Sequence, residues 1–149
     1  MHLQITAHFT LSELTASNTG TRLGLDNNPP AELMPNILHV AERLEMIRAH
    51  FGRPVRVHSC FRSEAVNKAV GGSPTSAHRF AHAADFTIPG VSVLEVCKWC
   101  AENIHDYDQV IYEFGESGWI HIGFTSKTPR KQLLTAAKHN GKTIYTPGF

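Results

Sequence analysis

The stretch "SAHRFAHAADF", residues 76–86, carries two histidines and an aspartate close together. Zinc is usually held by three or four His, Cys or carboxylate ligands, and three sets compete for that role. The first is His78 with His82, four apart, as in a helical HExxH site. Arg79 follows His78 where that motif needs its general-base glutamate, and Pro74 leaves little room for a helix. The second uses the cysteines Cys60, Cys97 and Cys100. The "CKWC" pair lies in "SVLEVCKWCAENI", which reads as a helix: Ser92 and Glu95 fit a capping box, and Val93, Val96, Cys97 and Cys100 recur at helical spacing. No second CxxC is present, so these read as small buried side chains. The third set is His78, Asp85 and a distant histidine on a neighbouring strand, for which His121 is the best candidate. Three protein ligands leave a fourth position open, which is the catalytic arrangement. His82 then stands outside the ligand set.

His121 is favoured because of the strands that must position it. "DQVIYEF" and "WIHIGF" alternate as a hairpin. Val110, Tyr112 and Phe114 share one face, and Ile120, Ile122 and Phe124 another. Pairing Phe114 with Ile120, Tyr112 with Ile122 and Val110 with Phe124 packs both faces on the core. That register leaves Glu116–Gly118 as a three-residue loop with Gly118 in the left-handed position. It also sets Glu113 directly opposite His121, with Cβ atoms about 5 Å apart on the face away from the core.

Around this hairpin, Thr10 and Glu13 form a capping box for a short first helix. "GLDNNPP" is a loop. A long helix follows through "ELMPNILHVAERLEMIRAHFG", with Pro35 in its first turn and Ile37, Val40, Ala41, Leu44, Ile47 and Phe51 on one face. Gly52 and Pro54 stop it. "PVRVHSC" reads as a strand, "RSEAVNKAVGG" as a short helix, "SPTSAHRFAH" as a loop and "AADFTIP" as a strand. Thr128 and Pro129 open a last helix, "TPRKQLLTAAKHNG", closed by Asn140-Gly141. The expected fold is α+β, one domain over residues 1–149, with a small, largely antiparallel sheet flanked by helices.

Composition narrows the function classes. Hydrophobic content of 42% and charged content of 18% describe a globular chain. A net charge of +1, without a run of Lys and Arg, gives no footprint for nucleic acid. No stretch approaches the roughly 20 apolar residues that span a bilayer, so no membrane association is expected. The start "MHLQITAHFTLSEL" lacks the pattern of a signal peptide, which implies cytoplasmic synthesis. An odd cysteine count argues against a disulfide framework. Ten histidines hint at metal or acid–base chemistry.

The chain resembles the zinc D-alanyl-D-alanine carboxypeptidase family, which includes VanX-type dipeptidases and phage endolysin peptidases and shares its fold with the hedgehog signalling domain. Ser76, His78, Ala83 and Asp85 match its SxHxxGxAxD motif. "VHSCFRSEAVNKAVGGSPTSAH" is similar to the family's strand, arginine, asparagine and double-glycine run. "DQVIYEFGESGWIHIGF" is similar to its closing strand pair, and "HFTLSELTASNTGTRLGLDNNP" to the start of the phage and prophage branch. Ala81 stands where the motif has Gly, which a backbone outside the left-handed region accepts. Cys60 and Phe61 stand where the family often has Gly and Tyr. Trp119 stands where some relatives carry a second histidine.

The resemblance implies a zinc metallopeptidase with Zn2+ on His78, Asp85 and His121, acting on the peptide stem of peptidoglycan. It implies Glu113 as catalytic acid/base, with Glu116 as the fallback, and Arg62 as the contact to the substrate carbonyl. Ser76 is a candidate donor to a zinc ligand, and Asn67 braces its loop. A D-Ala-D-Ala carboxypeptidase and an endolysin-type endopeptidase are both compatible with the motifs. So are a monomer and action at the cell wall after release. The alternative is a non-catalytic zinc-containing binding module of the same fold.

Overall fold

Alternating apolar residues build the sheet that carries these side chains, and two amphipathic helices cover one of its faces. The computed structural model describes residues 3–149. Strands β1 (Gln4–Thr6) and β2 (Phe9–Thr10) form a small hairpin of their own. Helix α1 (Leu11–Thr15) starts at Thr10, whose side chain and Glu13 cap each other reciprocally. Helix α2 (Asn18–Leu23) and the long α3 (Met34–Phe51) follow, and α3 closes at Gly52 in the left-handed conformation. Then come β3 (Arg56–Ser59), α4 (Glu64–Ala69), a 3-10 turn (Ala77–Phe80), β4 (Ala83–Thr87) and α5 (Val93–Asn103). The chain ends with β5 (Gln109–Glu113), β6 (Trp119–Gly123), β7 (Gln132–His139) and β8 (Lys142–Pro147).

The main sheet runs β3-β4-β6-β5-β7-β8, and only the β5–β7 pair is parallel. Directly paired residues point to the same face. Ala84 and Phe86, Ile120 and Ile122, and Val110 therefore share one face. All are fully buried, in one cluster with Val40 and Leu44 of α3 and Val96, Cys97 and Cys100 of α5. Asp85, His121 and Glu113 fall on the opposite face, which leaves polar groups free of the helices.

Two expectations are corrected. The last segment is a hairpin, not a helix. Asn140 (φ 51°) and Gly141 (φ 78°) are the two left-handed residues of a tight turn that pairs His139 with Lys142, the form Asn-Gly favours. Parallel pairing of β7 with β5 overrides the helix propensity of its alanines. The β5–β6 hairpin is also shifted by two residues: Val110 pairs with Ile122, Ile111 with His121, Tyr112 with Ile120 and Glu113 with Trp119. Strand β5 ends early because Phe114 turns left-handed (φ 62°), and a 3-10 turn over Gly115–Ser117 makes the connection. Gly118 has a negative φ of −94°. Glycine is needed there because a side chain would collide with the Glu113 carbonyl.

Candidate metal centre and cleft

Asp85 and His121 are direct partners across β4 and β6. Their side chains therefore leave the sheet together, and His121 Nδ1 lies 2.9 Å from Asp85 Oδ1. His78 arrives from the 3-10 turn before β4, with Nε2 3.2 Å from Asp85 Oδ2. All three residues are buried, and one ligand atom from each lies within 4.8 Å of the others.

The donor chemistry fits a cation. His78 Nδ1 is 2.7 Å from the Cys60 carbonyl. A carbonyl only accepts, so Nδ1 carries the hydrogen and donates it. Nε2 of a neutral His78 then has only a lone pair to offer, and it faces a carboxylate. A metal ion held by His78 and Asp85 would satisfy both, and the Cys60 carbonyl fixes the imidazole's tautomer and orientation. Without a cation, burial would raise the Asp85 pKa, but a protonated His78, by its charge and hydrogen bond, together with the hydrogen bond from His121, holds it well below the usual carboxylate range.

The turn that delivers His78 is strained at its end. Ala81 is left-handed (φ 57°, ψ 33°), contrary to the conformation expected for an alanine at the motif's glycine position. Ser76 Oγ accepts from the His78 backbone N–H at 3.3 Å. It thus caps the turn, and the group that bonds the His78 ring is the Cys60 carbonyl. His82 is not in the ligand group. The three cysteines are free and buried, and burial pushes the Cys60 and Cys97 thiols up to about 12.

Arg62 lies over Asp85, with Nη2 3.7 Å from Oδ2. Its Nε donates to Ser59 Oγ and its Nη1 to Asn67 Oδ1, both at 3.2 Å. Asn67 is itself buried and donates from Nδ2 to the Ser73 carbonyl at 2.8 Å. Gly72 makes this packing possible, because a side chain there would collide with Asn67 Oδ1.

Glu113 Oε1 is 3.8 Å from His121 Nδ1. Burial and the nearby Asp85 charge push its carboxyl up to about 7, outweighing His121 and Arg62. Glu116 is engaged elsewhere. Its carboxylate accepts from the Val93 and Leu94 N–H groups at 2.9 and 3.0 Å and from the Tyr112 hydroxyl at 2.8 Å. It therefore caps α5.

Arg62, His78, Asp85, Glu113 and His121 all line an open cleft of about 1150 Å³. Sequence reasoning missed three participants. The Cys60 carbonyl is a backbone group with no sequence signature. Ser59 comes near Arg62 because it ends β3. Tyr145 reaches the cleft wall only through the C-terminal hairpin.

A family model described as Peptidase M15 matches residues 7–123. Among curated proteins no match was found. The matched span contains the ligand group, Arg62 and Glu113, and it ends at the last residue of β6, before the β7–β8 hairpin. Peptidases of this family are metal-dependent. With well over half of its length matched, this chain belongs to the peptidase M15 family.

Proposed function

We propose that the protein is a zinc metallopeptidase that hydrolyses an amide bond in the stem peptides of peptidoglycan. The observation that carries this reading is the grouping of three buried ligand side chains with Glu113 3.8 Å from one of them and Arg62 3.7 Å from another. Two His nitrogens with one carboxylate suit zinc. Zn2+ held by His78, Asp85 and His121 would supply Lewis acidity and lower the pKa of a bound water toward about 7.

The chain's own groups account for the rest of the reaction. Glu113 takes a proton from the attacking water and delivers it to the leaving amine. Burial of the carboxyl favours its protonated form, which suits it to hold the proton between the two halves of that transfer. Arg62 donates to the carbonyl oxygen as negative charge develops there. Ser59 and Asn67 hold its guanidinium in place before substrate arrives. A binding module would have no use for a buried, proton-ready Glu113 beside the ligands, which favours the enzyme over the non-catalytic alternative.

Digestion of purified peptidoglycan by the zinc-loaded protein, followed by mass analysis of the fragments, tests the reading. New peptide termini, each gained with one water, support it and name the bond as a carboxypeptidase or an endopeptidase site. Unchanged muropeptides contradict it.

A further inference from the structure

The cleft does not end at Glu113. Across the sheet, Glu113 pairs with Ala136 of β7, and Ala136 pairs with Tyr145 of β8. The three side chains form one row on the face that carries the ligand group. Ala136 contributes only a methyl group, which is buried, so the row presents Glu113 and Tyr145 to the cleft. Tyr145 is 53% exposed, an unusual state for a large ring on a strand, and it lines the same cleft as the ligands. Among the described residues, nothing bonds its hydroxyl. A tyrosine phenol keeps its proton near neutral pH and is therefore a donor.

Spacing converts this row into a subsite. Neighbouring strands lie about 4.8 Å apart, which places β8 roughly 10 Å from Glu113's strand. An extended peptide advances about 3.3 Å per residue. A chain lying along the row therefore meets Tyr145 about three residues from the bond at Glu113. The β7–β8 hairpin that carries Tyr145 lies outside the span matched by the family model.

We propose that Tyr145 is a substrate-contacting residue that reads peptide length: its ring packs on the chain and its hydroxyl donates to a backbone carbonyl about three residues from the scissile bond. The inference rests on the peptidase reading above. It makes a stem peptide, rather than a free dipeptide, the preferred substrate. Remote binding of this kind raises turnover as well as affinity, because it is used to hold the reacting bond in place.

The test uses stem peptides shortened stepwise from the pentapeptide to the dipeptide that contains the bond wild type cleaves. Values of kcat and KM are measured for wild type, Tyr145→Ala and Tyr145→Phe, with zinc content and Tm as controls. In wild type, kcat/KM rises with length. In Tyr145→Ala the gain from dipeptide to pentapeptide falls by about tenfold or more, as loss of an aromatic anchor does elsewhere. Tyr145→Phe keeps the part due to the ring. If Tyr145→Ala unfolds, Tyr145→Thr, a good strand former, takes its place. An equal gain with length in wild type and variant overturns the inference, as does a wild type indifferent to length, and both leave the peptidase reading standing. A wild type that cleaves no stem peptide overturns both.

Discussion

Glu113 and His121 are diagonal neighbours on one face of adjacent strands. His121 sits opposite Ile111, Glu113 sits opposite Trp119, and the Glu113 carboxylate still comes within 3.8 Å of His121 Nδ1. The diagonal leaves the space directly over His121 to Asp85, its partner on the other side. His121 is thus held between a carboxylate that faces it directly across β4 and a second one set back by about a residue, 3.8 Å away.

Metal removal follows from the facing acceptors. Zn2+ added to metal-free protein should raise Tm, since a ligand at a hundredfold its Kd adds about 2.7 kcal/mol of stability. His121→Ala and Asp85→Asn should lose most of the shift in a thermal scan. The same Tm increase in His121→Ala would mean that the cation binds elsewhere.

Arg62 acts through its supports. Asn67→Ala removes one acceptor and should lower kcat while zinc content stays at the wild-type level. Arg62→Lys loses the fork and should cost on the order of 100-fold in kcat/KM. Gly72→Ala should resemble Asn67→Ala, because its side chain displaces Asn67. Steady-state kinetics with metal analysis checks all three, and an Asn67→Ala variant with wild-type kcat would detach the brace from the chemistry.

Ala81 should be improvable. Replacing it with glycine relieves the left-handed strain at φ 57°. The gain is reduced by the extra freedom of glycine in the unfolded chain and by the lost buried methyl, leaving up to about 1 kcal/mol. The urea midpoint of Ala81→Gly should rise. A fall would mean that the surrounding packing matters more than the backbone.

Acid sensitivity should come partly from Asp106. Burial would raise its pKa, but the two bonds from Arg43, the Arg43 charge and His39 pull it below the ordinary value. A folded-state pKa below the unfolded one stabilises above the unfolded value, and that contribution is lost as pH falls through the folded one. Unfolding measured downward from pH 5 should show a shallower loss in Asp106→Asn than in wild type. The pair is more than a third exposed on the aspartate side, so the difference is small.

The parts of the fold written in side-chain periodicity were legible. The long helix, its Gly52 stop and its buried face of Ile37, Val40, Ala41, Leu44 and Ile47 match the structure, as does the helix with buried Cys97 and Cys100. Strand alternation kept Glu113 and His121 on one face even with the register wrong by two, because a slip of two preserves the pleat. What failed was decided by backbone conformation or by distant pairing. Phe114 turns left-handed, a choice its side chain does not advertise. Asn140-Gly141 suits a helix end and a hairpin turn equally, and only the parallel contact with β5 selects the hairpin. The same error hid Tyr145, because without a β7–β8 hairpin nothing was expected to bring it to the cleft.

The most direct measurement is zinc content and turnover in the same samples of wild type, Glu113→Gln and Glu116→Gln. About one zinc per chain is expected in all three. Turnover of a stem peptide should fall on the order of 100-fold or more in Glu113→Gln, the usual weight of a positioned acid/base. Glu116→Gln should keep turning over while losing on the order of 1 kcal/mol of stability with its cap on α5. Wild-type turnover in Glu113→Gln, or a wild-type chain that carries no zinc after mild purification, would contradict it.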